Sequence, residues 1–182
     1  MKITKTDIPE VLIFEPRVFG DNRGYFLETW REDVFRTAGV DHDFVQDNQS
    51  SSHQGVLRGL HYQINQPQGK LVRVLAGRVF DVAVDLRRSS PTFGRWTGVE
   101  LSDENRHMFW VPPGFGHGFY VLSEMAEFAY KCTDYYAPEH ERIIRFDDPE
   151  IGIVWPLLDN IQTVLSDKDE AGSSLAQAEL FD

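Results

Sequence analysis

Residues 55–84 read GVLRGLHYQINQPQGKLVRVLAGRVFDVAV and carry Arg58, His61, Lys70 and Arg73 among apolar residues (Val56, Leu57, Leu60, Leu71, Val72, Val74, Leu75). With turns at Gly59, Pro67, Gly69 and Gly77, these segments read as β-strands. Basic and titratable groups are therefore carried on a sheet. Any one of them alone reads equally as the Lys or Arg that blunts an exposed sheet edge. Taken together, an imidazole that titrates near neutrality, an ammonium and two guanidiniums are the groups that hold an anionic substrate and move a proton on it.

Outward from this stretch, Arg78 to Arg87 alternates Phe80, Val82, Val84 and Leu86 with Val79, Asp81, Ala83, Asp85 and Arg87, which predicts a half-buried strand. Residues 96–101, 107–111, 117–122 and 126–133 read as further strands. They are separated by Gly94, Asp103-Glu104-Asn105, Pro112-Pro113-Gly114 and Ser123-Glu124. Short strands at this cadence predict an all-β chain folded as a double-stranded jelly roll.

Upstream, residues 3–14 hold two apolar clusters split by Pro9, the pattern of an interrupted edge strand that is free to pair with a second subunit. In FEPRVFGDNRGYFLETW, Gly20-Asp21-Asn22 and Gly24 supply a turn, and Arg23, Phe26 and Glu28 follow it, either on a solvated loop or on a lid carrying a phosphate ligand. Thr29-Trp30-Arg31-Glu32 fits a capping box, predicting one helix of roughly three turns that ends at Gly39. The polar run 44–53, FVQDNQSSSH, reads first as a loop. If it is extended, Gln46 and Asn48 share one face. After Ala137-Pro138 the chain reads as irregular until a terminal helical tail of about 166–182, with Ser166 as N-cap and Asp169 at N3.

A length of 182 residues fits one domain, and 14 Gly with 9 Pro suit a chain of many short strands. The net charge of −11 opposes binding to nucleic acid or anionic membranes, so the basic residues of 55–84 are local exceptions suited to a small anion in a cleft. MKITKTDIPE has no apolar h-region and no run approaches a membrane span, so a cytoplasmic location is expected. The single Cys132 permits no internal disulfide.

Two histidines invite a metal reading, because Pro112-x-Gly114-x-x-His117 resembles the second motif of the cupin superfamily. The first cupin motif carries His-x-His and an acid. Here Gln63 stands two after His61, and Gln68 and Lys70 occupy the acidic region. A metal would then need Glu127 or Asp81 from another strand, and an ammonium nearby opposes a cation. His117 also reads as a buried imidazole, Tyr130 as a core aromatic, and Asp169 as a helix cap or as the carboxylate that fixes a histidine tautomer.

The segments GDNRGYFLETW, QDNQSSS, GVLRGLHYQ, QGKLVRVLAGRVFDVAVDLR, SPTFGRW, VPPGFGHGF, YKCTDYYAPEHE and LSDKD together resemble the dTDP-4-dehydrorhamnose 3,5-epimerase family, in order and over more than nine-tenths of the chain. The resemblance implies a metal-free, cofactor-free cupin-type jelly roll with a few short peripheral helices. It would act as a homodimer on dTDP-4-dehydro-6-deoxy-D-glucose. By position, His61 matches the proton-abstracting base, Asp169 its carboxylate partner, Tyr130 the proton donor and Lys70 the oxyanion stabiliser. Arg23, Phe26, Glu28, Gln46, Asn48, Arg58, His117, Glu141 and Lys168 match substrate-binding positions, and Tyr136 matches the aromatic that stacks on thymine. Relatives that invert one carbon only, a metal-dependent cupin enzyme and a non-catalytic sugar-nucleotide-binding cupin are the alternatives that this pattern leaves.

Overall fold

The computed structural model describes residues 1–182. In chain order the strands are β1 (Lys2–Lys5), β2 (Leu12–Glu15), β3 (Val18–Asp21), β4 (Gly24–Leu27), β5 (Gln46–His53), β6 (Leu57–Gln63), β7 (Lys70–Ala76), β8 (Arg78–Asp85), β9 (Trp96–Ser102), β10 (Met108–Val111), β11 (Phe115–Val121), β12 (Met125–Cys132) and β13 (Glu141–Ile143). Two short helices, α1 (Glu32–Thr37) and α2 (Asp167–Glu170), and a 3-10 turn at Pro138–His140 complete the chain. A six-stranded sheet, β1-β2-β10-β7-β12-β5, faces a five-stranded one, β13-β6-β11-β8-β9, and β3-β4 form a separate hairpin. All strand pairs are antiparallel, giving the expected double-sheet jelly roll.

Strand alternation decides what each face holds. Val72 and Val74 of β7, Phe109 and Val111 of β10, Phe119 and Val121 of β11, and Phe128 of β12 fill the space between the sheets. On β7 the same parity points Lys70 inward and sends Arg73 to the opposite face, so Arg73 does not join Arg58, His61 and Lys70. β8 is buried on both faces rather than half-buried. Val82, Val84 and Leu86 pack under Ile144, Ile151 and Leu175 of the C-terminal segment, while Val79 and Ala83 enter the core between the sheets.

Four local expectations are revised. Residues 46–53 form a strand, because β5 pairs along its whole length with β12 despite having no apolar period. α1 starts at Glu32 with Arg31 as N-cap and no side-chain cap. Arg31 pairs with Asp33, and Glu32 with Arg36, so the Thr29 capping box never closes. The terminal helix is one turn, Asp167–Glu170, although its cap is as expected: Ser166 Oγ accepts from Asp169 N. Beyond it the chain lies back on the fold, with Leu175 and Ala178 buried and Phe181 bridged to Arg87. β13, which the sequence left irregular, pairs with the end of β6.

Candidate active site

At one end of the sandwich the two sheets part around a cleft of about 310 Å³. Period-two spacing builds its six-stranded wall. Lys70, Cys132 and Gln46 lie in one cross-strand row, and Val72, Tyr130 and Asn48 in the next. The opposing wall comes from β6, where Arg58 and His61 both face inward although three positions apart. That spacing needs an irregular register: His117 pairs with His61 but Phe119 with Arg58, so one extra β6 residue is accommodated. Gly59 makes this possible. Its φ is +125°, and a Cβ there would lie 2.5 Å from Gly118 Cα and 2.7 Å from His117 O.

His61 Nε2 lies 2.6 Å from Asp169 Oδ1. Asp169 is buried, and Gly59 N and Ser166 Oγ also donate to it, at 3.1 and 2.6 Å. Burial alone would raise its pKa. The bonds from His61, Ser166 and Gly59 outweigh that and hold it at about 2. An ionised acceptor on Nε2 places the proton there and leaves Nδ1 to act as a base.

Across the cleft, burial pushes the Tyr130 phenol pKa up, which keeps it protonated and able to donate. Lys70 has its pKa lowered by burial, opposed by Cys132, Asp81 and Glu141, and its ammonium makes no hydrogen bond within the chain. Beneath it, His117 Nε2 lies 2.9 and 3.1 Å from the two oxygens of Asp81. Burial lowers the His117 pKa and raises that of Asp81. His117 thus sits below the cleft on a carboxylate instead of lining it, and Asp81 is committed to that pair.

Of the residues singled out in the sequence, Gln46, Asn48, His61, Lys70, Tyr130, Tyr136 and Glu141 line the cleft. At the rim Lys168 donates to Glu141 at 2.8 Å, and Arg58 donates to Ser52 Oγ across the two sheets, near Tyr130. Arg23, Phe26 and Glu28 lie elsewhere, on or beside the exposed β3-β4 hairpin. There Arg23 pairs with Asp21, Glu28 with Arg31, and Phe26 is 69% exposed.

Four lining residues were not foreseen: Tyr62, Gln63, Gln68 and Phe115. Gln63 and Phe115 each stand two positions from a singled-out histidine, and that parity was their signal. Gln63 occupies the place of the missing metal ligand and is a structural hub instead. Its Nε2 donates to Gln66 O and Tyr135 O, and its Oε1 accepts from Ala137 N. No three His, Cys, Asp or Glu side chains are grouped as a metal site, and Glu127 turns outward to Gln49.

A family model described as dTDP-4-dehydrorhamnose 3,5-epimerase matches residues 5–177. Among curated proteins, the chain is 59% identical over 182 residues to the dTDP-4-dehydrorhamnose 3,5-epimerase of Pseudomonas aeruginosa, covering 100% of this chain and 99% of that protein. Among solved structures it resembles dTDP-6-deoxy-D-glucose-3,5-epimerase from Legionella pneumophila in complex with dTDP-4-keto-L-rhamnose, with TM-score 0.95, 56% identity, and coverage of 98% of this chain and 94% of that one. A 3′-monoepimerase from Streptomyces bikiniensis in complex with dTDP-quinovose is similar at TM-score 0.87 and 38% identity, over 94% and 87% of the two chains. With a cupin-type jelly roll, a histidine–carboxylate pair facing a tyrosine, and this similarity along its length, the chain belongs to the dTDP-4-dehydrorhamnose 3,5-epimerase family.

Proposed function

We propose that this chain converts dTDP-4-dehydro-6-deoxy-D-glucose into dTDP-4-dehydro-L-rhamnose by inverting C3 and C5, without metal or cofactor. The observation that carries this is the opposition of His61, on one sheet, to Tyr130 and Lys70, on the other, across a single cleft. A C4 ketone acidifies the hydrogens on C3 and C5, and loss of either gives an enolate with its charge on the C4 oxygen. His61 Nδ1 takes the proton, and Asp169 steadies the imidazolium through Nε2. The Lys70 ammonium meets the oxyanion, a contribution of roughly 3–4 kcal/mol for one placed donor. Tyr130 returns a proton to the opposite face, which inverts the centre.

Gln46, Asn48, Glu141 and Lys168 shape the sugar site, with His117 supporting it from below through its pair with Asp81; Tyr136 stacks on thymine, and Arg58 holds the diphosphate. Arg23, Phe26 and Glu28 of a second subunit complete the site in a homodimer. The charge of −11 argues against nucleic acid as a partner. No helix is long and apolar enough to cross a membrane, and a cytoplasmic location suits the proposed sugar-nucleotide substrate.

The test follows the reaction in heavy water with excess chelator present, and deuterium is expected at both C3 and C5 of the product. Wash-in at one carbon only would make the chain a monoepimerase, and activity that requires an added divalent metal would overturn the metal-free chemistry.

A further inference from the structure

We infer that Ser166, beyond capping α2, is a positioning residue for the base, holding the Asp169 carboxylate in the orientation that His61 needs. This rests on the reading of His61 and Asp169 as the proton-abstracting pair. Ser166 Oγ accepts from Asp169 N at 3.2 Å and lies 2.6 Å from Asp169 Oδ2. Because the backbone N–H is itself a donor, it takes up a lone pair of Oγ and leaves the hydroxyl hydrogen to point at the carboxylate. Oδ1 is occupied by His61 and Gly59 N, so Ser166 is the side chain that engages Oδ2. The carboxylate is thereby held at both oxygens, and rotation about its Cβ–Cγ bond is opposed from both ends.

Asp169 is only 3% exposed, so water does not readily replace a lost donor. Without Ser166 the carboxylate loses one of the hydrogen bonds that stabilise its charge, so Asp169 binds a proton more tightly and is held less firmly against His61. The charged groups around Asp169 are His61 on β6, with His117 of β11 behind it, Lys168, Asp167 and Glu170 on its own helix, and Glu141 of β13 through Lys168. Ser166→Thr and Ser166→Ala change none of them, whereas Ser166→Asp adds a like charge beside Asp169.

The experiment compares Ser166→Thr, Ser166→Ala and Ser166→Asp in the full-length protein, with His61→Ala as reference. Readouts are kcat and KM against pH, deuterium wash-in, dTDP binding and melting temperature. Thr keeps both the cap and the donor, and Asp keeps the cap acceptor but cannot donate when ionised. Ser166→Thr is expected to stay within about twofold of wild type, while Ser166→Ala and Ser166→Asp lose roughly tenfold or more in kcat with KM and dTDP affinity held within about twofold. The acid limb of kcat/KM in Ser166→Ala is expected to lie at higher pH than in wild type.

Wild-type kcat and acid limb in Ser166→Ala, or recovery of activity in Ser166→Asp, would overturn the inference, the latter by showing that capping is all the residue supplies. Failure of Ser166→Thr together with Ser166→Ala, or loss of folding in both the Ala and Asp variants, would overturn it as well. If instead His61→Ala keeps its wash-in, the reading of the base falls, and that result is separate from anything seen at Ser166.

Discussion

His61 and Tyr130 should leave different traces when removed, because they stand on opposite walls of one cleft. In Tyr130→Phe the base, Lys70 and the pocket remain, so an enolate still forms and returns its proton on the original face. Deuterium exchange should therefore outlast inversion, whereas His61→Ala should lose both, by at least the roughly 10²–10⁴-fold typical of general acid–base catalysis. Equal loss of exchange in the two variants, with dTDP binding intact, would refute the assignment. The buried carboxylates set a second expectation. Asp169, held at about 2 by His61, Ser166 and Gly59 against burial, and Asp85, held at about 2 by Arg87, Ser90 and Thr92 against burial, both lie below their ordinary value of 3.8. A depressed folded-state pKa stabilises above the unfolded value and is lost as pH falls through the folded one, here from about 4 to about 2. Urea midpoints should fall across that window, and Asp169→Asn or Asp85→Asn should each flatten the fall. An unchanged slope would show that the carboxylate is not held as described. At this scale the sequence disclosed residues whose chemistry is distinctive, such as His61 and Lys70. It hid Gln63, Gln68 and Phe115, whose side chains are equally at home in a core or a loop.

Elements were legible wherever an apolar period marked them, and β7, β8, β11 and β12 fall close to the expected strands. β5 was not, because QDNQSSSH has no apolar residue to alternate. Its identity comes from backbone pairing with β12, which only the fold supplies. Burial of both faces of β8 was also invisible, since the segment that covers it arrives from residues 144–175. The register irregularity in β6 has a measurable consequence. Gly59→Ala forces a left-handed φ on a residue with a Cβ and drives that atom against β11 backbone. It should cost more than about 2 kcal/mol in urea unfolding and reduce activity, since Arg58 and His61 can no longer share a face. Wild-type stability would mean that the backbone there is free to change. Gln63 makes a different kind of link, from β6 to the loop that carries Tyr136. Gln63→Glu keeps the acceptor for Ala137 N but turns a carboxylate oxygen toward two carbonyls. It should weaken dTDP binding and raise KM several-fold while kcat changes little, and a fall in kcat at constant KM would contradict a role confined to the nucleotide end.

For the whole molecule, one chain leaves the proposed site incomplete and the β3-β4 hairpin exposed. Phe19, Tyr25 and Phe26 are 50, 60 and 69% exposed, and the Arg23 guanidinium has its ion pair with Asp21 alone. Arg17 covers one face of Phe19 and Arg106 one face of Tyr25, but a two-stranded hairpin that still exposes this much aromatic surface is poorly stable in water by itself and calls for a further covering surface. A second copy provides one if each hairpin reaches the cleft of its partner. Arg23→Ala and His61→Ala homodimers would then each carry two defective sites, one lacking the arm and the other the base. In a mixed dimer the two defects segregate: the intact His61 receives the intact Arg23 and that site works, while the other site lacks both. Random exchange of equal amounts makes half of the dimers mixed, each with one working site, so roughly a quarter of wild-type activity should return. The measurement is turnover before and after subunit exchange, with mixed dimers confirmed by native mass spectrometry of differently tagged chains. Demonstrated mixed dimers without recovered turnover would place Arg23 outside its partner's site and leave the hairpin without that role.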